Sequence, residues 1–161
     1  MKRIFFITAA ILLLAGRAIA AMTCVDSGQI TPEKSGTDNT LQVVTCTFDT
    51  TPGTAVATIP TSVMARLDNK FCWLDIVPGA TGPTNSSDLQ IVDSRGLTII
   101  SAATNGLNVI DNTASTFGIM GQGEAGNSMF IHAHAPYQWT VTVTNNAVNN
   151  SSFVLYIEAI Q

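Results

Sequence analysis

Alternating apolar and polar residues near the end of the chain give its clearest structural signal. The apolar positions are Trp139, Val141 and Val143 in one segment, and Phe153, Leu155 and Ile157 in the next. Successive side chains of a β-strand point to opposite faces, so this period of two predicts two strands, each with one buried face. The Asn- and Ser-rich residues 145–152 between them favour a turn. The pattern predicts a β-hairpin that supplies a large part of the core.

Earlier segments predict further strands. β-Branched and aromatic residues are concentrated in segments 41–48, 55–59 and 71–77. Segment 71–77 is apolar on both faces, which predicts a central strand. Two more apolar segments, 88–92 and 97–100, flank a turn that starts with Asp93 and ends with Gly96, and this arrangement predicts a second hairpin.

One segment has helical spacing. Val63, Met64 and Leu67 favour a short helix within residues 61–69, with Thr61 or Ser62 as its N-cap. Residues 24–39 are polar and predict a short strand followed by a loop. Short strands separated by turns, without alternating helices, predict an all-β fold. We expect an antiparallel β-sandwich, jelly-roll-like in strand order, with at most one short helix.

The start of the chain has the features of an export signal. Met1-Lys-Arg3 is charged, residues 4–15 are apolar, and Ala18 and Ala20 are the small residues expected before a cleavage site. The apolar run is shorter than the ~20 residues of a transmembrane helix. We predict a signal peptide over residues 1–20, a single domain over 21–161, and no stable membrane span after cleavage. This predicts a secreted, periplasmic or cell-surface protein.

The charge of the chain restricts its partners. It contains 7 basic and 11 acidic residues, and removal of the predicted signal leaves four basic residues, for a formal charge of −7. Nucleic acids need clustered positive charge. The composition therefore argues against nucleic-acid binding.

Three cysteines follow the predicted cleavage site: Cys24, Cys46 and Cys72. An oxidising compartment permits disulfides, and three cysteines allow three single pairings with one thiol left over. We prefer a Cys24–Cys46 disulfide, which would tie the N-terminus to the first strong strand. Cys72 is then either a buried apolar residue or the source of an intermolecular disulfide.

The two histidines are the first candidate for chemistry. His132 and His134 would face the same way on a strand and could reach one metal ion. Together with Gly126 they partly resemble the first metal motif of cupins, which implies a metal-dependent enzyme on a jelly roll. Gln138 stands where that family places Glu, and the chain has no third histidine. A cupin-like enzyme is therefore the third functional hypothesis.

Two other patterns in the sequence are typical of ligand-binding sites. Gly121 to Gly126 matches GxGxxG, but a strand rather than a helix is predicted after it, so we expect no dinucleotide or other cofactor. Tyr137 and Trp139 could form an aromatic surface for a glycan or small ligand. The alternative is that such aromatic residues belong to the core and its rim.

A resemblance covers about half of the chain. Thr84 to Ile100, with Asp88, Asp93 and Gly96, and then residues 140–157 match the hairpin and the final strands of a known group of proteins. Residues 84–157 resemble small, uncharacterised β-sandwich proteins of tailed-phage and prophage structural gene modules. The resemblance implies a particle subunit, and the export signal implies that it is routed through the membrane.

The sequence thus favours an exported structural or interaction protein, a surface or particle subunit that acts by contact rather than catalysis. We expect self-association or a protein partner, with loops 78–87 and 117–128 and any uncovered edge strand in contact. The alternative is a glycan- or small-ligand-binding module.

Overall fold

The computed structural model describes residues 20–31, 40–49, 53–122, 128–129 and 131–160. The predicted signal segment before residue 20, the predicted loop at 32–39 and residues 123–127 of the predicted glycine-rich loop lie outside the described residues. The elements are β1 (Ala20–Ile30), β2 (Thr40–Phe48), β3 (Gly53–Thr58), α1 (Thr61–Leu67), β4 (Lys70–Pro78), β5 (Asp88–Asp93), β6 (Thr98–Ile100), β7 (Thr116–Ile119), β8 (Gly121–Gln122), β9 (Ser128–Met129), β10 (Ile131–Ala133), β11 (Trp139–Asn146) and β12 (Ser152–Ile160).

The strands form two packed sheets. Sheet A has the order β3-β11-β5-β6, and sheet B has the order β10-β4-β12-β2-β1, with β7 also on the outer edge of β4. All these pairs are antiparallel. Strand β1 joins the sheets, since Ala20 and Ala21 pair in parallel with Ala55 and Val56 before β1 continues along β2.

Strands near the two ends of the chain pair with each other, and strands closer to its middle pair inside them. Strand β2 pairs with β12, β3 with β11, β4 with β7 and β10, and β5 with β6. A long hairpin that is rolled so that its successive pairs alternate between two sheets is a jelly roll. The predicted all-β sandwich with jelly-roll order is therefore confirmed.

The predicted hairpin at the end of the chain is wrong in its pairing. Strand β11 lies between β3 and β5 in sheet A, whereas β12 lies between β2 and β4 in sheet B. The connection crosses between the sheets and is fixed by the buried Asn146. Its Oδ1 accepts hydrogen bonds from the N–H groups of Thr84 and Val148 at 3.0 and 3.1 Å, and its Nδ2 donates to Ser151 Oγ at 3.2 Å.

Each strand buries one side in a shared core. In β12 the alternation places Phe153, Leu155 and Ile157 inside, and in β11 it places Trp139, Val141 and Val143 inside. Two sheets whose inner faces interdigitate in this way form a core about 10 Å thick. The alternation predicted from the sequence is confirmed, and β4 has strands on both sides, as expected from its apolar character.

Helix α1 covers one end of the sandwich. Val63, Met64 and Leu67 are buried, as predicted, but no side chain caps its N-terminus. Polar contacts tie the helix to β1 instead. Arg66 Nη2 lies 2.8 Å from Asp26 Oδ1, and Ser62 Oγ donates to Asp26 Oδ2 at 2.5 Å. Strand β1 is longer than the polar sequence after Cys24 predicts, because residues 28–30 pair with residues 41–43 of β2.

The predicted hairpin at 88–100 is confirmed. Asp93 is 5% exposed, and its Oδ1 accepts hydrogen bonds from the N–H groups of Arg95 and Leu97 at 2.9 and 3.0 Å. Gly96 has a φ of 85°, a left-handed conformation that glycine adopts without a steric cost. The turn therefore uses Asp and Gly as the sequence predicts.

Candidate interaction surface

The cysteines lie on the inner side of sheet B. Cys24 and Cys46 are directly opposite each other in β1 and β2 and form the predicted disulfide. Cys72 is a free, fully buried thiol on β4, and its Sγ contacts the carbonyl oxygen of Ile131 at 3.4 Å. Burial raises the pKa of the Cys72 thiol to about 12. A buried, protonated thiol is a poor nucleophile, so this structure does not favour an intermolecular disulfide.

The two histidines stand side by side near the edge of sheet B. Their ring centroids are 6.5 Å apart, with an angle of 12° between the planes. His134 Nδ1 lies 3.1 Å from Asn69 Oδ1 and 3.2 Å from Asp68 Oδ1. Within the described residues, no three His, Cys, Asp or Glu side chains come together as metal ligands. Open metal sites commonly use three protein ligands, so the geometry gives the predicted His132–His134 metal site no support.

Aromatic rings continue from the histidines in a row across the surface. The Phe71 and His132 centroids are 4.9 Å apart, and those of His134 and Tyr137 are 5.3 Å apart. The Arg95 guanidinium lies 3.9 Å above the centre of the Tyr137 ring. One face of Tyr137 is therefore covered by Arg95, which leaves less of the ring open to a ligand.

Trp139 requires a correction. Its side chain is 1% exposed and belongs to the core, so it cannot contact a glycan on the surface of this fold. It has the same alternation as Val141 and Val143, and this places it on the inner face of sheet A. Of the predicted aromatic pair, only Tyr137 reaches the surface.

Asp93 fixes Arg95 above Tyr137. Arg95 Nε donates to Asp93 Oδ2 at 2.8 Å, and Nη2 lies 2.5 Å from the same oxygen. Burial raises the pKa of the Asp93 carboxyl, but the hydrogen bonds from Arg95 and the N–H of Leu97 outweigh it, so the pKa lies below its usual value. The Asp93–Arg95 ion pair therefore fixes the guanidinium group that covers Tyr137, the last ring of the aromatic row.

The outer face of sheet A carries mostly threonine, and we call it the threonine face. Its side chains are Thr54, Val56 and Thr58 of β3, Thr140, Thr142 and Thr144 of β11, Gln90 and Val92 of β5, and Thr98 of β6. Thr140 lies directly between Thr58 and Val92, and Thr142 between Val56 and Gln90. Threonine combines strand propensity with a hydroxyl group that water can solvate. This face suits contact with water.

The outer face of sheet B is different in chemistry, and we call it the apolar face. Its apolar side chains are Phe71, Trp73 and Val77 of β4, Val154, Tyr156 and Ile160 of β12, Leu41 and Val43 of β2, and Val25 and Ile30 of β1. The register aligns them in rows across the strands. One row contains Val77, Val154, Thr45 and Val25, and another contains Asp75, Tyr156 and Val43.

Three exposed large apolar side chains lie on the apolar face and a fourth lies beside it. Seven such side chains occur among the described residues. Phe71 is 52% exposed, and Val25 and Ile30 are each 49% exposed at the β1 side of this face. Phe117, which is 71% exposed, lies on β7 at the opposite edge, where the Gly118 N–H donates to Asp75 Oδ1 at 2.7 Å. Four of the seven therefore border one surface.

One open groove lies where β1 and β3 separate. Its volume is about 370 Å³, and its lining residues are Met22, Thr23, Cys24, Val56, Ala57 and Thr58. None of these side chains is ionisable, because the sulfur of Cys24 is held in the disulfide. The groove therefore offers no acid, base or nucleophile.

Comparisons with known proteins give no relative for this chain. No protein-family model matches it, no curated protein matches it, and no solved structure matches it. The resemblance of residues 84–157 to phage structural proteins therefore stays a prediction. Among the described residues, no helix is long and apolar enough to cross a membrane.

Proposed function

We propose that this chain is an exported structural or interaction protein, a surface or particle subunit that acts by contact rather than catalysis. The contact is self-association through the apolar face. The observation that carries this proposal is the difference between the two outer faces of the sandwich. The threonine face is polar throughout most of its extent, whereas the apolar face carries ten large apolar side chains in register.

Folding of the domain does not require this difference. Both sheets already bury an apolar inner face, and an outer face in water is free to be polar, as sheet A demonstrates. Contiguous exposed apolar patches above a few hundred Å² are uncommon on monomeric soluble proteins and mark interaction sites. Tyr156, Trp73 and Phe71 are also of the aromatic class that is enriched in protein interfaces. These features support a protein contact.

Export is part of the proposal. The buried Cys24–Cys46 disulfide fits a protein that folds in an oxidising compartment, and the start of the sequence resembles a cleaved signal. These two features support a secreted, periplasmic or surface location. The predicted resemblance to phage structural proteins supports a particle subunit within the same class.

The test is light scattering on the purified protein over a range of concentrations, with and without a mild reductant. We expect a mass well above the 17.0 kDa of one chain, which rises with concentration and does not change with reductant. A Cys72→Ala variant is the matched control and should give the same mass. A single-chain mass at every concentration would exclude self-association, and a mass lost on reduction would assign it to a disulfide.

A further inference from the structure

The two halves of the disulfide differ in their surroundings. Cys24 lines the open groove between β1 and β3, and it retains an exposed fraction of 9%. Cys46 has no exposed surface, because β2 lies inside sheet B between β1 and β12. The free Cys72 is fully buried as well. Among the described residues, Cys24 is therefore the cysteine that borders an opening.

The groove is short, and its two ends are closed by contacts. At one end Ala21 pairs with Val56, so that β1 and β3 lie side by side there. Beyond Cys24, Ser62 Oγ of helix α1 donates to Asp26 Oδ2 at 2.5 Å and holds the helix against β1. The opening is therefore confined to the stretch of β1 that contains Cys24.

Thiol–disulfide exchange depends on the direction from which the thiolate approaches. It attacks one sulfur atom along the S–S axis, from the side opposite the sulfur that leaves. Cys24 and Cys46 lie directly opposite each other in β1 and β2, so this axis runs across the two strands. The far side of the Cys24 sulfur therefore faces β3 and the groove. The far side of the Cys46 sulfur faces β12, where the fully buried Phe153 is paired with Cys46 and closes the approach.

We infer that Cys24 is the exchange site of this disulfide, and that the dithiol of a partner protein reaches it through the groove. One thiolate of the partner bonds to Cys24 Sγ. The electron pair of the broken S–S bond leaves on Cys46 Sγ, which takes up a proton. The second thiolate of the partner then attacks the partner's own sulfur in the mixed disulfide and releases Cys24 as a thiolate. The partner loses two electrons and the disulfide of this chain gains them, and the reverse sequence forms the bond.

The groove favours a peptide-borne thiol over a small anionic one. Its lining combines apolar side chains with two threonine hydroxyls and contains no charged group, and the chain itself is acidic. The Cα atoms of Cys24 and Cys46 are 4.1 Å apart, the spacing of a pair without mutual backbone hydrogen bonds. The N–H and C=O of Cys24 therefore point away from β2, towards the groove. A protein with a redox-active CxxC pair on an uncharged, extended segment fits this surface.

This contact is separate from the proposed self-association. The groove lies where the two sheets part, and none of its lining residues belongs to the apolar face. The proposed function does not depend on exchange at Cys24, and exchange does not require a second copy of the chain. The experiments below therefore test the exchange site alone.

Single-cysteine variants test which sulfur atom is reached. Cys46→Ala retains Cys24, and Cys24→Ala retains Cys46, both in a Cys72→Ala background, so each variant lacks the disulfide and carries one thiol. The probe is 4,4′-dithiodipyridine, an uncharged disulfide that releases a coloured product. We expect the Cys24 thiol to react at least ~tenfold faster than the Cys46 thiol in the folded proteins, and equally fast in urea. Equal rates in the folded proteins would overturn the inference.

Two tryptophan variants keep the disulfide and test the groove. Thr58→Trp places an indole at the groove, whereas Thr98→Trp, on β6 at the far edge of sheet A, is the matched control. The rate at which dithiothreitol reduces the native disulfide is measured for both. We expect Thr58→Trp to slow reduction at least ~threefold and Thr98→Trp to leave it unchanged. Equal rates would overturn entry through the groove, and this result decides the matter if circular dichroism shows a single-cysteine variant to be unfolded.

The same two variants test the kind of partner. Reduced thioredoxin carries its CxxC dithiol on a protein surface, so it needs more of the groove than dithiothreitol does. We expect Thr58→Trp to slow reduction by thioredoxin at least ~tenfold relative to Thr98→Trp. If thioredoxin reduces the wild-type disulfide no faster than glutathione does at equal thiol concentration, a protein dithiol as the partner is overturned.

Discussion

The two sheets of this sandwich are alike inside and unlike outside. On their inner faces both present buried aliphatic and aromatic side chains, such as Val141 in sheet A and Leu155 in sheet B. On their outer faces sheet A presents threonines, whereas sheet B presents Tyr156, Trp73 and their apolar neighbours. The inner faces are constrained by the need to form a core, and the outer faces are not. The difference therefore points to what sheet B contacts rather than to how it folds.

The cysteines follow the same division. All three lie in the strands of sheet B and point inward, whereas the strands β3, β11, β5 and β6 of sheet A contain none. The disulfide links β1 to β2 directly beneath the apolar face. This placement keeps covalent chemistry inside the domain and leaves the outer face to non-covalent contact.

The largest expected effect concerns the reactivity of the Cys72 thiol. If this thiol reacts rapidly in the native protein, the division of sheet B into a closed inner face and an interacting outer face is wrong. Because burial raises the pKa of this thiol to about 12, we expect it to react with a thiol reagent at pH 8 at least ~1,000-fold more slowly than an exposed cysteine. The measurement is Ellman's assay on the native protein, with the denatured protein as the control that reveals one thiol per chain. Rapid reaction in the native state would show that the thiol reaches the surface.

Removal of the disulfide should have the second-largest effect. Cys24→Ala together with Cys46→Ala frees a loop whose ends are 22 residues apart, so the free energy of unfolding should fall by about 3 kcal/mol. Urea denaturation measures the change. The matched control is Cys72→Ala, which removes one buried sulfur atom without removing a cross-link. If the double variant loses no more free energy of unfolding per substituted cysteine than Cys72→Ala does, the disulfide contributes little to the stability of sheet B.

Acid should loosen the end of sheet B that helix α1 covers. Hydrogen bonds from Arg66 and then Ser62 hold the pKa of the Asp26 carboxyl well below its usual range. A lowered pKa stabilises the fold above the unfolded value of about 3.9, and this stability is lost as the pH falls further. Asp26→Asn should therefore cost about 1 kcal/mol at neutral pH, because the pair is partly solvated.

Denaturation of the wild type and Asp26→Asn at pH 7 and at pH 3 measures this contribution. The difference between the two proteins should shrink at pH 3, where the wild-type carboxyl begins to lose its advantage over the unfolded state. A difference that stays constant with pH would show that Asp26 acts by packing and not through its charge.

The smallest effect on stability should come from making the threonine face resemble the apolar face. The triple variant Thr58→Val, Thr140→Val and Thr142→Val joins Val56 and Val92 into one apolar surface. We expect the free energy of unfolding to change by less than about 1 kcal/mol, while the assemblies become larger than those of the wild type. The same three positions changed to Ser are the control. Unchanged assembly would mean that an apolar outer face is insufficient for association.

Much of the fold is predictable because alternation is a local property. The buried positions of β11 and β12, the turn at Asp93 and Gly96, and helix α1 all follow from patterns within ten residues. Which strands pair is not local. The hairpin predicted from β11 and β12 fails because the loop between them is fixed by Asn146 and Thr84, which are 62 positions apart. Strand β1 is longer than its polar sequence predicts, because residues 28–30 pair with residues 41–43 of β2.

The candidate surface was only partly predictable. The sequence shows that residues 71–77 are apolar on both faces, and this signal marks one strand of the apolar face. Its extent depends on the register that aligns Tyr156 with Val43 and Asp75, which no single segment specifies. The burial of Trp139 was predictable from the sequence, because it occupies the same alternating positions as Val141 and Val143, which are buried on the inner face of sheet A. Tyr137 precedes that strand and remains at the surface.

One measurement tests the central claim most directly: the solution masses of Tyr156→Lys and Thr142→Lys, measured side by side by sedimentation at equal concentration. The two substitutions add the same charge at the middle of the two outer faces. We expect Thr142→Lys to associate like the wild type, and Tyr156→Lys to sediment as a single chain of unchanged fold. Equal masses for both variants, whether associated or single, would contradict a contact through the apolar face.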